Sequence, residues 1–157
     1  MWMIAVIACI AVLVAGVLVK RARDRQMFEQ HSITSEDLHS LLASHGDVAL
    51  FDVRLSLDLL ADSVIIPGAK RFAPEEVIAN PALIPKDRDS IVYCTCPSDE
   101  TSRRILRLAL ADGHTRIKFL KGGLGGWRAG GYPVEPYDKS FHLDSSGVAL
   151  PRHSPIQ

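Results

Sequence analysis

Residues 91–113 read IVYCTCPSDETSRRILRLALADG, and this stretch decides the class of fold that the sequence predicts. The apolar run at residues 90–94 has the length and composition of a strand buried in a parallel sheet. A helical pattern follows and ends at Gly113, with four apolar side chains on its inward face: Ile105, Leu106, Ala109 and Leu110. A buried strand that runs directly into an amphipathic helix is typical of α/β folds.

The same alternation of strands and helices continues on both sides of this stretch. Apolar strands are predicted at residues 48–53 and 117–120, and a helix is predicted to begin at Thr34 or Ser35. A glycine-rich turn at residues 122–126 leads into a further short helix. The pattern therefore predicts a three-layer α/β sandwich around a small, mainly parallel central sheet.

The N-terminal residues 1–19 carry no charged side chain, and a basic cluster follows them at residues 20–25. A helix of that length spans roughly 28 Å, which is close to the hydrocarbon thickness of a bilayer. A cleaved signal peptide would place positive charge before the apolar run and a small-residue cleavage site after it. The sequence therefore predicts one retained transmembrane helix. The positive charge on its C-terminal flank predicts a single-pass membrane protein with a cytoplasmic soluble domain.

The domain boundaries follow from changes in composition. Residues 20–31 are predicted to form a basic juxtamembrane linker, and residues 32–137 the folded domain. Residues 138–157 lack periodicity and are rich in Ser, Pro and Gly, so we expect a disordered tail. The 18 Lys and Arg residues balance the 18 Asp and Glu residues, and this balance gives no indication of a nucleic-acid partner.

Two cysteines lie at the expected position of a functional site. Sites in parallel sheets form beyond the carboxyl ends of the strands, and Cys94 and Cys96 follow such an end. The helix that begins just after them can lower the pKa of a thiol and so produce a nucleophilic thiolate. We expect the polar residues of the intervening loop and first helical turn to contact the substrate: Thr95, Ser98, Asp99, Glu100, Thr101 and Ser102. On position alone, either cysteine is a candidate nucleophile.

Other chemistries fit these residues less well. A zinc site needs about four nitrogen or sulfur ligands, and nothing near Cys94 and Cys96 completes such a set, so no metal or other cofactor is predicted. A cysteine phosphatase needs an arginine that closes the loop on phosphate, whereas the first arginine here, Arg103, lies inside the predicted helix. Three cysteines also do not make a disulfide framework.

Residues 32–136 together resemble a single-domain rhodanese. Four segments carry the resemblance in the family's order: ALFDVR at 49–54, IIPGAK at 65–70, PKDRDSIVYC at 85–94 and IKFLKGGLGGWRAGGYPVEP at 117–136. The resemblance implies a rhodanese-like sandwich and a sulfurtransferase whose cysteine carries a persulfide. It also implies two partners, which are a sulfur donor (a small molecule or a protein persulfide) and a thiol acceptor. Asp52 and Arg54, at the end of the first strand, are predicted to form a structural salt bridge.

The segment before the two cysteines and the helix after them assign the family's nucleophile to different cysteines. Counting forward from residues 85–87 places the family's cysteine at Cys94, and counting back from Gly113 places it near Cys96. Pro97 has no N–H group, so a ring of amide donors that starts at Cys96 would lack its first member. This favours Cys94, with Cys96 as an alternative nucleophile or a resolving thiol.

The loop differs from the family pattern in charge. Asp99 and Glu100 occupy the region where the family has a basic residue, and carboxylates oppose thiolate formation and repel anionic donors. We therefore expect poor activity with thiosulfate and a natural donor that is a protein persulfide or another weakly charged species. Two alternatives remain open: a catalytically weak rhodanese-like module that binds partners, and a dithiol redox protein that uses Cys94 and Cys96.

Overall fold

A computed structural model of the chain describes residues 2–44, 46–95 and 99–137. The helices are α1 (Trp2–Gln30), α2 (Ser35–Ala43), α3 (Ser56–Ala61), α4 (Pro74–Ala79), α5 (Glu100–Ala111) and α6 (Gly123–Ala129). The strands are β1 (Ser32–Ile33), β2 (Val48–Asp52), β3 (Val64–Ile65), β4 (Lys70–Arg71), β5 (Asp89–Tyr93), β6 (Ile117–Leu120) and β7 (Glu135–Pro136). The predicted tail, residues 138–157, lies outside the described residues.

The central sheet is parallel. Its strand order is β1-β6-β5-β2-β4, and every neighbouring pair in it is parallel. A separate antiparallel pair joins β3 to β7. Asp52 lies level with Tyr93 on one side and Arg71 on the other, so β2, β4 and β5 end at the same edge of the sheet. This confirms the predicted α/β fold with a mainly parallel central sheet, and the strands near residues 48, 90 and 117 lie where the sequence places them.

Two hydrophobic clusters cover the two faces of the sheet. Because side chains of a strand alternate between faces, Val92 packs with Ile105 in one cluster, while Ile91 and Tyr93 pack with Trp127 in the other. Helices therefore cover both faces of the sheet, as in the predicted three-layer sandwich. The α2 helix begins as expected, because the Thr34 hydroxyl oxygen accepts the N–H of Asp37 at 3.1 Å.

The α1 helix continues without a break through the segment that the sequence predicts as a linker, and its last turns pack on the domain. Phe28 is only 6% exposed and belongs to the same cluster as Phe119. The Arg103 guanidinium lies 4.8 Å from the centre of the Phe28 ring. Glu29 forms a 2.5 Å salt bridge with Lys121. The end of α1 is thus part of the folded domain.

In the apolar part of α1 the large side chains that the structure describes include these exposed ones: Trp2, Val6, Ile7, Ile10, Val12, Leu13, Val14, Val17, Leu18 and Val19. Among the residues that the structure describes, no helix is long and apolar enough to cross a membrane. The predicted transmembrane helix at residues 1–19 is therefore not supported by the structure.

Candidate active site

Cys94 directly follows β5 and lies at the carboxyl edge of the sheet. Its side chain faces the cluster that contains Val92 and Ile105, and the residue is 1% exposed. Its backbone is fixed by α6, because the Leu124 N–H donates to the Cys94 carbonyl oxygen at 2.9 Å. The fold therefore holds this thiol at a defined position between the sheet, α5 and α6.

The turn before α6 approaches Cys94 so closely that it requires glycine. Gly122 and Gly123 have φ angles of +72° and +50°, in the left-handed region where side chains are disfavoured. A Cβ atom on Gly123 would lie 1.9 Å from the carbonyl oxygen of Cys94. The predicted glycine-rich turn at residues 122–126 is therefore shorter than expected: only Gly122 lies in the turn, and residues 123–126 already belong to α6, whose start lies against Cys94.

Substituting Gly123 with alanine is expected to disturb the site and the fold together. The Cβ atom can be accommodated only if Cys94 or α6 moves, and the positive φ adds a cost of roughly 1 kcal/mol or more. We expect Gly123→Ala to have a lower free energy of unfolding in urea and to lose any activity that depends on Cys94. Gly125→Ala is the matched control, because a Cβ there meets no atom within 4 Å. Equal stability and activity in the two variants would contradict this role of Gly123.

Asp99 connects the loop to the same glycine turn. It is 6% exposed, and its φ of +53° places it in the left-handed region. Its Oδ2 atom accepts the Gly122 N–H at 3.1 Å, whereas its Oδ1 atom is buried without a hydrogen-bond partner among the described residues. Burial raises the pKa of this carboxyl, against the opposing effects of the Gly122 amide and of Arg103. Asp99 is the N-cap residue of α5, but its carboxyl makes no capping hydrogen bond to that helix.

Thr95 links the loop to α3 on the other side. Its hydroxyl donates to Oδ2 of Asp58 at 3.1 Å. The sequence analysis did not identify Asp58 as a site residue, because no local pattern indicates that α3 reaches the end of β5. The structure thus adds a carboxylate to the site, beside the acidic pair at residues 99 and 100.

Asp52 and Arg54 form the predicted salt bridge beneath the site. Both are fully buried, and Nη2 of Arg54 lies 2.6 Å from Oδ2 of Asp52. The guanidinium also donates to the carbonyl oxygens of Asp62, at 3.0 Å, and Val64, at 2.5 Å. The pair therefore ties the end of β2 to the segment that follows α3. The structural salt bridge is confirmed.

The phenol of Tyr93 lies on the same face as this ion pair. Its oxygen accepts the Ile66 N–H at 3.1 Å. Burial raises the pKa of Tyr93 far above its ordinary value, and the negative charge of Asp52 adds to the effect. Tyr93 is therefore a neutral structural hydrogen-bond partner of the segment after β3.

The described members of the predicted site, residues 94–95 and 99–102, lie at the end of β5 and around the first turn of α5. Glu100 is exposed at the first position of α5, Thr101 is half-buried, and Ser102 is buried with no hydrogen-bond partner for its Oγ atom among the described residues. Cys96 and Ser98 lie outside the described residues. Within residues 2–44, 46–95 and 99–137, no group of three or more His, Cys, Asp and Glu side chains could hold a metal ion.

Comparisons with known proteins agree with this geometry. The model of the family described as "Rhodanese-like domain" matches residues 34–130. A protein of Allochromatium vinosum named "Sulfurtransferase" is 31% identical over 104 residues, which cover 66% of this chain and 94% of that protein. The crystal structure of the Alr3790 protein from Anabaena sp. is 27% identical, with a TM-score of 0.58, over 66% of this chain and 82% of that chain.

A more distant structure shows the same fold. A full-length protein from Lactobacillus plantarum has a TM-score of 0.64 and 19% identity, over 74% of this chain and 97% of that chain. The similarity thus extends over nearly the whole of that second protein.

Proposed function

The chain belongs to the rhodanese-like domain family, and we propose that it is a sulfurtransferase that carries sulfur as a persulfide on Cys94. The observation that carries the proposal is the position of Cys94, which directly follows β5 at the sheet edge where sites of parallel sheets form. The start of α6 is bonded to its carbonyl oxygen, and α5 begins a few residues later. The backbone of Cys94 is thus bonded to the start of one helix and precedes another in the chain, and the dipole at a helix N-terminus favours a negative charge.

Sulfur transfer on Cys94 takes two displacement steps. In the first, the Cys94 thiolate attacks the outer sulfur of a donor persulfide; a new S–S bond forms and the donor leaves as a thiolate. In the second, an acceptor thiolate attacks the outer sulfur on Cys94, and the Cys94 thiolate leaves. One sulfur atom moves in each step with no net change in oxidation state, so neither step needs an added oxidant or reductant.

Cys96 retains the role that the sequence assigned to it, as an alternative nucleophile or a resolving thiol. A resolving thiolate would attack the inner sulfur of the Cys94 persulfide and release hydrosulfide, leaving a disulfide between Cys94 and Cys96. A dithiol redox protein would form the same disulfide reversibly without carrying a sulfur atom. Thiol titration separates these functions, since a redox pair loses both thiols together, whereas a sulfurtransferase gains cyanide-labile sulfur on one. A partner-binding module would gain none.

The charge of the site favours a weakly anionic donor. Asp58 and Glu100 flank the ends of the loop, so a dianion such as thiosulfate approaches carboxylates. We expect kcat/KM for thiosulfate to be at least about tenfold below that for cysteamine persulfide, which carries a positive amine. Sulfur transfer to cyanide, measured as thiocyanate, gives both values. A preference for thiosulfate would contradict the proposed donor class.

A charge-neutral variant isolates this electrostatic effect. Glu100→Gln keeps the size of an exposed side chain and removes one negative charge, so it should raise kcat/KM for thiosulfate more than for cysteamine persulfide. Asp87→Asn is the control, because Asp87 precedes β5 at the opposite edge of the sheet and is 76% exposed. Equal effects of the two variants would show that the loop charge does not select the donor.

The proposal includes attachment to a membrane through residues 1–19, as a single-pass anchor with the domain on the cytoplasmic side. A spanning helix is not found among the described residues. The support for the anchor is instead the uncharged sequence of residues 1–19, the basic cluster at residues 20–25 and the exposed apolar side chains of α1. The test is the extraction of the full chain from membranes. We expect detergent to release it and alkaline carbonate to leave it bound, and release by carbonate would refute the anchor.

A further inference from the structure

Exposed leucines are concentrated on α3, the short helix beside the site. Leu57 is 77% exposed, and Leu55 and Leu60 are each 45% exposed. Outside α1, the other described large apolar side chain with comparable exposure is Leu108, at 36%. Leu59 points inward and is almost fully buried, so it supplies the core contact of α3, while Leu57, Leu60 and the N-cap residue Leu55 expose apolar surface. We call these three residues the leucine surface.

The helix that carries the leucine surface is held firmly next to Cys94. Asp58, within α3, accepts the hydroxyl of Thr95, the residue after Cys94. The carbonyl of Asp62, at the end of α3, accepts from the buried Arg54, and its carboxylate pairs with Arg128 at 2.7 Å. The leucine surface therefore lies on a helix that is hydrogen-bonded to the sulfur-transfer loop.

Charge indicates what kind of molecule would bind there. The helix and its C-terminal cap carry the carboxylates of Asp58 and Asp62, and because Asp62 is paired with Arg128, the net negative charge of this helix comes from Asp58. Glu100 adds a further exposed carboxylate at the start of α5. A complementary surface is apolar at its centre and basic at its rim, and a small anionic sulfur compound has neither property. These features describe a protein rather than a small molecule.

We propose that the leucine surface docks a partner protein that has an apolar patch rimmed by Lys or Arg and that presents a cysteine to the site as sulfur acceptor. This inference rests on the proposed function. In the docked complex the partner's thiolate attacks the outer sulfur of the Cys94 persulfide, a new S–S bond forms on the partner, and Cys94 leaves as a thiolate. The leucine surface thus acts on the partner's affinity and leaves the chemistry on Cys94 unchanged.

Two synthetic peptides serve as probes of this docking surface. Each contains one cysteine flanked by leucines, with lysines at the rim in the first peptide and glutamates in the second. Transfer to each peptide is compared with transfer to cyanide, which is too small to use the leucine surface. We expect the lysine peptide to have the lower KM of the two. A lower KM for the glutamate peptide would overturn the proposed charge of the partner.

The decisive variant is Leu57→Gln, which removes an exposed apolar side chain and adds no charge. We expect the ratio of lysine-peptide transfer to cyanide transfer, both as kcat/KM, to fall about tenfold. Leu108→Gln is the matched control on α5 and should leave this ratio unchanged. An unchanged ratio in Leu57→Gln overturns the docking surface even when cyanide transfer is normal. Absence of cyanide transfer in the wild type would instead contradict the proposed function.

Two other occupants of the leucine surface are outcomes that would overturn the proposal. If the surface joins two copies of this chain, light scattering will show a dimer that Leu57→Gln converts to a monomer. If it binds lipid, Leu57→Gln will reduce co-sedimentation with phosphatidylcholine vesicles more than Leu108→Gln does. We expect neither variant to change the molar mass measured by light scattering or the fraction of protein that sediments with the vesicles.

Discussion

Cys94→Ser is expected to lower sulfur transfer to cyanide by at least about 1,000-fold, the scale of loss seen when a covalent nucleophile is removed. A serine hydroxyl is close in size to a thiol but cannot hold a transferable sulfur atom under these conditions. The measurement is thiocyanate formed from cyanide with cysteamine persulfide as donor. Because Cys94 is buried, urea unfolding of the variant is measured as well, so that loss of activity can be separated from loss of the fold.

The other two cysteines provide the controls. Cys9→Ser changes an exposed thiol in α1, far from the site in sequence, and should leave transfer unchanged. Cys96→Ser should retain transfer if Cys94 is the nucleophile. Activity that persists in Cys94→Ser and disappears in Cys96→Ser would overturn the assignment of Cys94 while leaving a persulfide mechanism in place.

Arg54→Met is expected to destabilise the fold by about 3–5 kcal/mol, which is large for a single substitution. The substitution leaves the Asp52 carboxylate fully buried without its cation, and it removes the donor from two backbone carbonyls, those of Asp62 and Val64. Most of the cost comes from this uncompensated burial. The free energy of unfolding in urea measures it.

The control for this prediction is Arg128→Met. Arg128 forms an ion pair with Asp62 at a similar distance, 2.7 Å, but both side chains are more than a third exposed. Water screens such a pair, so we expect a change within about 1 kcal/mol. If the free energy of unfolding falls by the same amount in both arginine variants, burial of the Asp52–Arg54 pair is not the reason that the pair stabilises the fold.

The sequence was sufficient to predict the three longer strands of the sheet, because their signals are local. Each long strand is an apolar run, and the neighbouring helices show the spacing of apolar residues that is typical of a helix. Thr34 caps α2, as expected because threonine is a preferred N-cap residue. The two-residue strands β1, β3, β4 and β7 were not predicted, because two residues each are too few to show alternation. The position of Cys94 at a strand end is likewise a local property, and it could be read from the sequence.

The rest of the site depends on contacts between distant parts of the chain. Asp58 and Thr95 are 37 positions apart, and Asp99 and Gly122 are 23 apart, so no periodicity connects either pair. Phe28 lies in a segment whose charged composition predicts a linker, yet its ring contacts the Arg103 guanidinium and the ring of Phe119. Such roles are fixed by tertiary packing and are visible only in the folded structure.

The central claim is that sulfur is carried on Cys94, and mass spectrometry of the loaded protein tests it most directly. The full chain is treated with cysteamine persulfide, blocked with an alkylating reagent and digested, and the peptide that contains both Cys94 and Cys96 is fragmented between them. We predict one additional sulfur atom on the Cys94 fragment and none on the Cys96 fragment. An additional sulfur on Cys96 alone, or a disulfide between the two with no added sulfur, would contradict the account.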